Sequence, residues 1–218
     1  RNKGKDVHTL FLTATPIPRT MALSVYGDLD VSTMRELPPG RKPVKTYAVT
    51  EGMRSRIYAF MRKEIAAGHQ CYVVCPLVEE SASADLQAAT ALYESLKSTD
   101  FADISCGLVH GRMSGKEKDE VMERFQKGDI KLLVATSVIE VGVNVPNATI
   151  MYVDGAERFG LAQLHQLRGR VGRGAAQAYF ILLAKSCNEE TRQRLKWMET
   201  IHDGFSLSEK DLLLRGAG

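Results

Sequence analysis

The chain has 218 residues, of which 44% are hydrophobic and 25% are charged, as expected for a globular protein of one large domain or slightly more. Its net charge of +3 falls short of the strongly basic balance of a domain whose whole surface binds nucleic acid, so any phosphate contact must depend on where the arginines lie. It contains neither an apolar stretch near the roughly 18 residues of a membrane span nor a signal-peptide pattern, which favours a cytoplasmic protein without membrane partners.

Short apolar runs alternate with helical patterns along the chain. The runs predict strands at residues 10–13, 45–49, 71–75, 104–109, 131–135, 150–153 and 179–183. The other patterns predict helices at residues 53–67, 84–97, 115–127, 161–167, 189–202 and 208–214, and the last two are expected to be joined by a turn at Asp203 and Gly204. Because most strands are apolar on both faces, they predict a doubly wound α/β fold with a parallel sheet covered on both sides. Gly68 and Gly128 stand where C-terminal helix caps are expected.

Residues 38–43, Pro-Pro-Gly-Arg-Lys-Pro, are the strongest linker signal and predict a domain boundary. The chain opens without methionine just before the first predicted strand, and we therefore expect a fragment of a longer polypeptide.

Three arginines and three glycines alternate in residues 166–174, Gln-Leu-Arg-Gly-Arg-Val-Gly-Arg-Gly. The planar guanidinium groups of Arg168, Arg170 and Arg173 match phosphate oxygens, and glycines let the backbone approach a ligand closely. Arginine–glycine runs also occur in solvated loops and RNA-binding tails. Predicted strands on both sides place this run inside a fold, which favours a phosphate-binding segment.

A phosphate-binding loop of the P-loop type is the expected companion of such arginines, but the sequence offers none. The candidate at residues 111–116, Gly-Arg-Met-Ser-Gly-Lys, has three residues between its glycines where the pattern needs four, and Glu117 follows where Ser or Thr would hold Mg²⁺. Asp154 resembles an acidic metal ligand after a strand but has no P-loop beside it. The four cysteines and five histidines show no ligand spacing, so we expect no metal site within this chain.

Three segments resemble motifs III, V and VI of superfamily 2 helicases in order and spacing: residues 13–16, 133–146 and 166–173. Further segments resemble the RecG family of branched-DNA helicases: residues 14–20, 26–31, 37–43, 73–81 and 203–216. The resemblance covers essentially the whole chain. Two alternatives stay open: the motor of the transcription-repair coupling factor, and a non-catalytic RecA-like interaction module that binds a protein partner or RNA.

The resemblance implies three regions. Residues 1–43 would be the end of a first RecA-like motor domain and a linker, residues 44–186 a second RecA-like domain, and residues 187–218 the start of a translocation helical hairpin. ATP and Mg²⁺ would be bound jointly with the first RecA-like domain of the same polypeptide, and branched or duplex DNA would be the partner. Because the P-loop would lie upstream, the isolated chain is predicted to be inactive as an ATPase.

The same resemblance assigns residues to the nucleotide. Arg170 and Arg173 match arginine fingers, which stabilise charge on the γ-phosphate during its transfer to water. Gly142, Asn144 and Gln166 match ATP-contacting positions. Asn144 stands where the family pattern has Asp, so the ribose contact would lose a negative charge and keep an acceptor.

Other residues are assigned to DNA and to coupling. His110, Arg112 and Thr136 match positions that bind the DNA sugar-phosphate backbone, which gives affinity without sequence preference. Thr13 and Thr15 match a segment that relays the nucleotide state between domains. Arg215 matches an arginine of the translocation element, while Ala217 replaces a proline common in the family.

Overall fold

The computed structural model describes residues 42–76, 82–136 and 144–215. Its strands are Lys45–Thr50 (β1), Gln70–Cys75 (β2), Cys106–Val109 (β3), Leu132–Thr136 (β4), Ala148–Asp154 (β5) and Tyr179–Ala184 (β6). Its α-helices are Arg54–Ala66 (α1), Ala82–Ser98 (α2), Gly115–Lys127 (α3), Leu161–Arg168 (α4), Glu189–Thr200 (α5) and Gly204–Arg215 (α6). The strand predicted at residues 10–13 and most of the predicted linker lie outside the described residues.

The six strands form one parallel sheet in the order β1-β6-β5-β2-β4-β3. Residues of β2, β4 and β5 are buried throughout, which explains why these strands are apolar on both faces. Since strand ends of one kind share one edge of a parallel sheet, the sheet has an amino edge and a carboxyl edge. The predicted doubly wound α/β fold is confirmed.

Helices cover both faces of the sheet. One face carries Cys71, Val73 and Cys75 of β2 and packs against α1 and α2. The other face carries Tyr72 and Val74 and packs against α3, α4, α5 and α6. The alternation of neighbouring residues between two apolar layers buries β2 completely and fixes its register.

The ends of α3 follow the local sequence. Ser114 caps its first turn, where the Ser114 hydroxyl accepts from the Glu117 backbone N–H and the Glu117 carboxylate accepts from the Ser114 backbone N–H. Gly128 ends the helix in the left-handed conformation at φ +84°, and Gly68 has φ +94° after α1. Both predicted glycine stops are confirmed.

Two helices, α5 and α6, follow β6 as predicted, but the turn between them falls slightly earlier than expected. Gly204 was expected in the turn with Asp203 and is instead the buried first residue of α6. The reason is that the Asp203 carboxylate accepts hydrogen bonds from the backbone N–H groups of Phe205 and Ser206 and so starts the helix. Met198 of α5 and Leu207 of α6 are buried in the core that covers the sheet.

Candidate functional site

The arginine segment lies at the amino edge of the sheet, because α4 returns from the carboxyl edge and β6 starts only at Tyr179. At this edge the backbone N–H of Lys45 donates to the carbonyl of Ala178. Gly172 adopts φ +73°, and an added Cβ would lie 2.8 Å from a methyl carbon of Val44. The loop is therefore fixed against the start of β1.

Arg170 and Arg173 both lie near enough to the buried Tyr72 for their charges to act on its hydroxyl. Burial raises the pKa of Tyr72 to about 12, and the positive charges of Arg170 and Arg173 oppose that rise. Arg170 is partly exposed and Arg173 is exposed. The two guanidinium groups therefore lie near each other, close to the start of β2.

The end of the segment that resembles motif V reaches the same place. Gly174 packs so closely against Pro146 that an added Cβ would lie 2.5 Å from the Pro146 carbonyl oxygen. Asn144, two residues before Pro146, is exposed, and so is Gln166 in the last turn of α4. The amino edge therefore brings together four of the residues predicted to contact ATP or its phosphates: Asn144, Gln166, Arg170 and Arg173.

The glycines of the arginine segment have a different explanation from the one expected. Close approach to a ligand was predicted, whereas Gly172 and Gly174 make room for protein atoms of Val44, Ala178 and Pro146. Their small size shapes the loop that carries Arg173 and leaves ligand contact to the side chains.

Arg168 also departs from the expectation. Only 5% of it is exposed, and its guanidinium donates to the backbone carbonyls of Met198 (2.7 Å) and Ile201 (2.9 Å). Burial lowers its pKa to about 10. The interpretation that Arg168 presents a guanidinium to phosphate is therefore wrong, because α4 turns this side chain into the interior.

A second group of predicted residues lies at the carboxyl edge. His110 and Arg112 follow β3, and Thr136 ends the neighbouring strand β4, with Val109 in register with Ala135. Arg112 is exposed, whereas Thr136 is only 2% exposed. The structure thus brings His110 and Thr136 to adjacent strand ends at the carboxyl edge, whereas Arg170 lies at the amino edge.

Two buried polar atoms at this edge lack a hydrogen-bond partner among the described residues: Nδ1 of His110 and Oγ1 of Thr136. Native structures leave few such atoms unsatisfied, and each one needs an explanation. Because the two atoms lie on neighbouring strand ends, this edge is a candidate site for an external hydrogen-bonding group.

The start of α3 beside this site is occupied by a carboxylate. Oε2 of Glu117 accepts from the backbone N–H and the hydroxyl of Ser114, both at 2.7 Å, and these hydrogen bonds lower the pKa of Glu117. A carboxylate in the first turn competes with any anion for the same N–H groups. This explains in structural terms why residues 111–116 do not form a P-loop.

Asp154 at the carboxyl end of β5 belongs to a polar cluster that the sequence did not reveal. Its carboxylate accepts from Arg54 and Lys185, both at 3.0 Å, and from the Tyr152 hydroxyl at 3.1 Å. Burial, followed by the negative charge of Asp154, raises the pKa of Tyr152. The cluster lines a cleft of about 370 Å³, and the described residues hold no group of three or more potential metal ligands. The sequence singled out Asp154 only as an acidic residue after a strand, and it did not reveal these partners.

Several predicted site residues have no described geometry. Gly142, Thr13 and Thr15 lie outside the described residues. Arg215 is the last residue of α6.

The family description "Helicase conserved C-terminal domain" matches residues 54–175, more than half of the chain. The chain belongs to this family. The matched range includes both edges of the sheet, from Arg54 at the start of α1 to the loop after Arg173.

Similar proteins are RecG helicases. The chain is 52% identical over all its 218 residues to the ATP-dependent DNA helicase RecG of Bacillus subtilis and covers 32% of that protein. It is 49% identical over 217 residues to RecG of Thermotoga maritima and covers 28% of it. The chain thus spans about a third of the length of the curated relatives it matches. The predicted resemblance to RecG helicases is confirmed.

Solved structures agree with this placement. A structure of RecG bound to a three-way DNA junction aligns with 94% of this chain and 27% of its own at a TM-score of 0.80 and 47% identity. Saccharomyces cerevisiae Dbp5 bound to RNA and ADP BeF3 aligns with 90% of this chain and 51% of its own at a TM-score of 0.57 and 15% identity, which supports the RecA-like fold alone.

Among the described helices, none is both long enough and apolar enough to cross a membrane.

Proposed function

We propose that the chain is the second motor part of an ATP-dependent, RecG-like DNA helicase or translocase that remodels branched DNA such as stalled forks and Holliday junctions. The observation that carries the proposal is the separation of two groups of residues on opposite edges of one sheet, in a chain that matches RecG from end to end. One edge would serve ATP and the other DNA. This match favours the RecG interpretation over the coupling factor and over a non-catalytic module.

At the amino edge, Arg170 and Arg173 would bind phosphate oxygens of ATP held by a partner domain. Their convergence near Tyr72 and their partial exposure fit an anion, since guanidinium groups stay charged and offer planar pairs of donors. An arginine finger raises the rate of phosphoryl transfer by about 10³ to 10⁵, which equals roughly 4 to 7 kcal/mol of barrier. Asn144, Gln166 and Gly142 would contact the rest of the nucleotide.

At the carboxyl edge, His110, Arg112 and Thr136 would bind the DNA sugar-phosphate backbone. The unsatisfied Nδ1 of His110 and Oγ1 of Thr136 support this assignment, because a DNA phosphate oxygen can accept a hydrogen bond from the Thr136 hydroxyl or from an Nδ1–H of His110. Such contacts would bind DNA of any sequence, as a translocase requires.

The remaining components would come from elsewhere in the longer polypeptide. The chain has no P-loop, so the phosphate-binding Lys and the Mg²⁺ ligands would belong to a first RecA-like domain, with residues 1–43 leading from it. Relay through Thr13 and Thr15, coupling through Arg215, the division into residues 44–186 and 187–218, and a cytoplasmic location all stay predictions.

The test uses a chimera in which this chain replaces the matching 32% of Bacillus subtilis RecG. Arg170→Ala and Arg173→Ala should each lower the ATPase kcat at least a hundredfold and leave nucleotide binding nearly unchanged, because fingers act on transition-state charge. Arg→Lys should not restore the rate, since a point charge cannot replace a planar fork.

Arg192→Ala is the matched control, because its guanidinium pairs with Glu189 on the exposed surface of α5. It should leave kcat within about twofold of the chimera. The isolated 218-residue chain should show no steady ATP hydrolysis. A kcat within threefold of the chimera for both Arg170→Ala and Arg173→Ala would overturn the assignment.

A further inference from the structure

Arg168 is the last residue of α4, yet its side chain binds the end of α5 and the turn before α6. Nη1 donates to the carbonyl of Met198 at 2.7 Å, and Nη2 donates to the carbonyls of Ile201 at 2.9 Å and His202 at 3.3 Å. Nη1 also reaches the hydroxyl of Thr46 at 3.5 Å. One guanidinium therefore joins α4, β1 and the turn between α5 and α6.

This arrangement is unusual because the charge is buried without a carboxylate partner in the described part of the chain. Burial away from water lowers the pKa of Arg168 to about 10. A buried cation is costly unless acceptors surround it. Here the acceptors are the carbonyls of Met198 in the last turn of α5 and of Ile201 and His202 just after it, where the helix dipole places partial negative charge. Arginine suits the position because its fork reaches several carbonyls at once.

The position of Arg168 in the chain gives these contacts a mechanical consequence. Gly169 alone separates it from Arg170, which faces the proposed nucleotide edge. On the other side, α6 begins two residues after His202 and packs directly against α4. A shift of the Arg170 segment on phosphate binding would therefore pull on the turn that sets the direction of α6.

We propose that Arg168 is a positioning residue that holds the α5–α6 turn to the arginine segment. Among the three arginines of residues 168–173, Arg170 and Arg173 would then contact phosphate, and Arg168 holds the α5–α6 turn in place. The expected effect of Arg168 on DNA unwinding rests on the proposed function. Its role in holding the α5–α6 turn follows from its hydrogen bonds alone.

The first experiment uses the 218-residue chain itself. Amide hydrogen exchange in residues 204–210 of α6 should accelerate at least tenfold in Arg168→Met and Arg168→Lys, while amides of β2 and β4 keep their protection. Arg192→Met, a matched arginine on α5, should leave α6 unchanged. Unchanged exchange in α6, or equal acceleration across the sheet, would overturn the proposal.

The second experiment measures both activities in the chimera described above. Arg168→Lys should keep DNA-stimulated ATP hydrolysis within about threefold and lower the unwinding of a forked DNA at least tenfold. Equal loss of both activities, or selective loss of hydrolysis as expected for Arg170, would overturn the positioning assignment. An unsubstituted chimera that neither hydrolyses ATP nor unwinds DNA would instead overturn the proposed function, and the exchange experiment would still decide the contacts of Arg168.

Discussion

His165 lies one turn before Arg168 on α4, and the two side chains share a hydrogen bond of 3.3 Å between Nη2 of Arg168 and Nδ1 of His165. Because arginine can only donate, Nδ1 must accept, and the neutral ring therefore carries its proton on Nε2. Burial lowers the pKa of His165, the charge of Arg168 lowers it further, and Asp203 opposes both effects. The folded protein thus favours a neutral His165.

This shift predicts loss of stability in mild acid. The pKa of His165 is lower in the folded state than in the unfolded state, so below about pH 6.5 the unfolded chain binds the proton first. The contribution of neutral His165 is fully present above that pH and is lost as pH falls through the folded pKa. We expect the free energy of unfolding, measured in urea, to fall between pH 7 and pH 5, and His165→Gln to make the fall shallower.

His69→Gln is the control, because it removes a histidine that pairs with Glu64 and does not contact Arg168. In this variant the free energy of unfolding should still fall between pH 7 and pH 5 as it does in the unsubstituted chain. The pKa of His202 is also lowered, by burial and then by Arg168, so His165→Gln should not abolish the effect. A fall of the same steepness in His165→Gln and in the unsubstituted chain would contradict the explanation.

The sequence could not predict which of the three arginines in the segment is buried. The spacing of Arg168, Arg170 and Arg173 presents three chemically equal cations, and nothing in the spacing tells which one points inward. That choice depends on the direction of α4 and on carbonyls of α5 about thirty residues later in the chain. Side-chain chemistry was predictable, whereas the partner was set by tertiary packing.

At the scale of elements, local signals were sufficient for nearly all boundaries. Helix α3 was predicted at residues 115–127, and the Ser114 cap, Glu117 and Gly128 explain why it starts and stops there. The turn before α6 was misplaced because Asp203 was taken as a turn residue, although an aspartate is equally suited to cap a helix. Strands that are apolar on both faces predicted a covered parallel sheet. This pattern could not predict the order of the strands.

The contact between the loops before β5 and before β6 supports the proposed nucleotide edge, and it yields a prediction. Gly174→Ala should lower the free energy of unfolding by about 1–3 kcal/mol, as overpacking does, because the new Cβ would lie 2.5 Å from the Pro146 carbonyl oxygen. Backbone must move to relieve this clash. Urea denaturation of the 218-residue chain measures the change.

Gly52→Ala is the matched control, because no heavy atom lies within 4 Å of the Cβ it would add. It should change stability by no more than about 0.5 kcal/mol. The same displacement of the loop should weaken ATPase activity of the chimera beyond any loss of folded protein. Equal stability of Gly174→Ala and Gly52→Ala would show that the two loops do not pack as described.

At the scale of the whole molecule, the sheet separates two chemistries. The residues proposed for phosphate transfer lie where strands begin, and those proposed for DNA lie where β3 and β4 end. Within the segment that resembles motif V, Thr136 lies at the carboxyl edge and Asn144 lies at the amino edge. This separation could not be predicted from linear spacing, because it follows from the parallel direction of all six strands.

The separation predicts how the purified chain binds duplex DNA. Binding should be weak, independent of sequence and weaker at higher salt, because contacts to phosphates release counterions. Arg112→Ala, at the exposed carboxyl edge, should reduce the slope of log K against log salt by about 0.9, the contribution of one phosphate contact. Fluorescence anisotropy with two unrelated duplexes between low and moderate salt measures this slope.

Lys127→Ala is the matched control, because it removes the same charge from the far end of α3, where Lys127 pairs with Glu123. If net charge alone attracted DNA, the two variants would change the slope equally. If the carboxyl edge binds DNA, only Arg112→Ala should flatten it, and Thr136→Val should weaken binding without changing the slope, since Thr136 carries no charge. Equal slopes for Arg112→Ala and the unsubstituted chain would place the DNA contact elsewhere on the molecule.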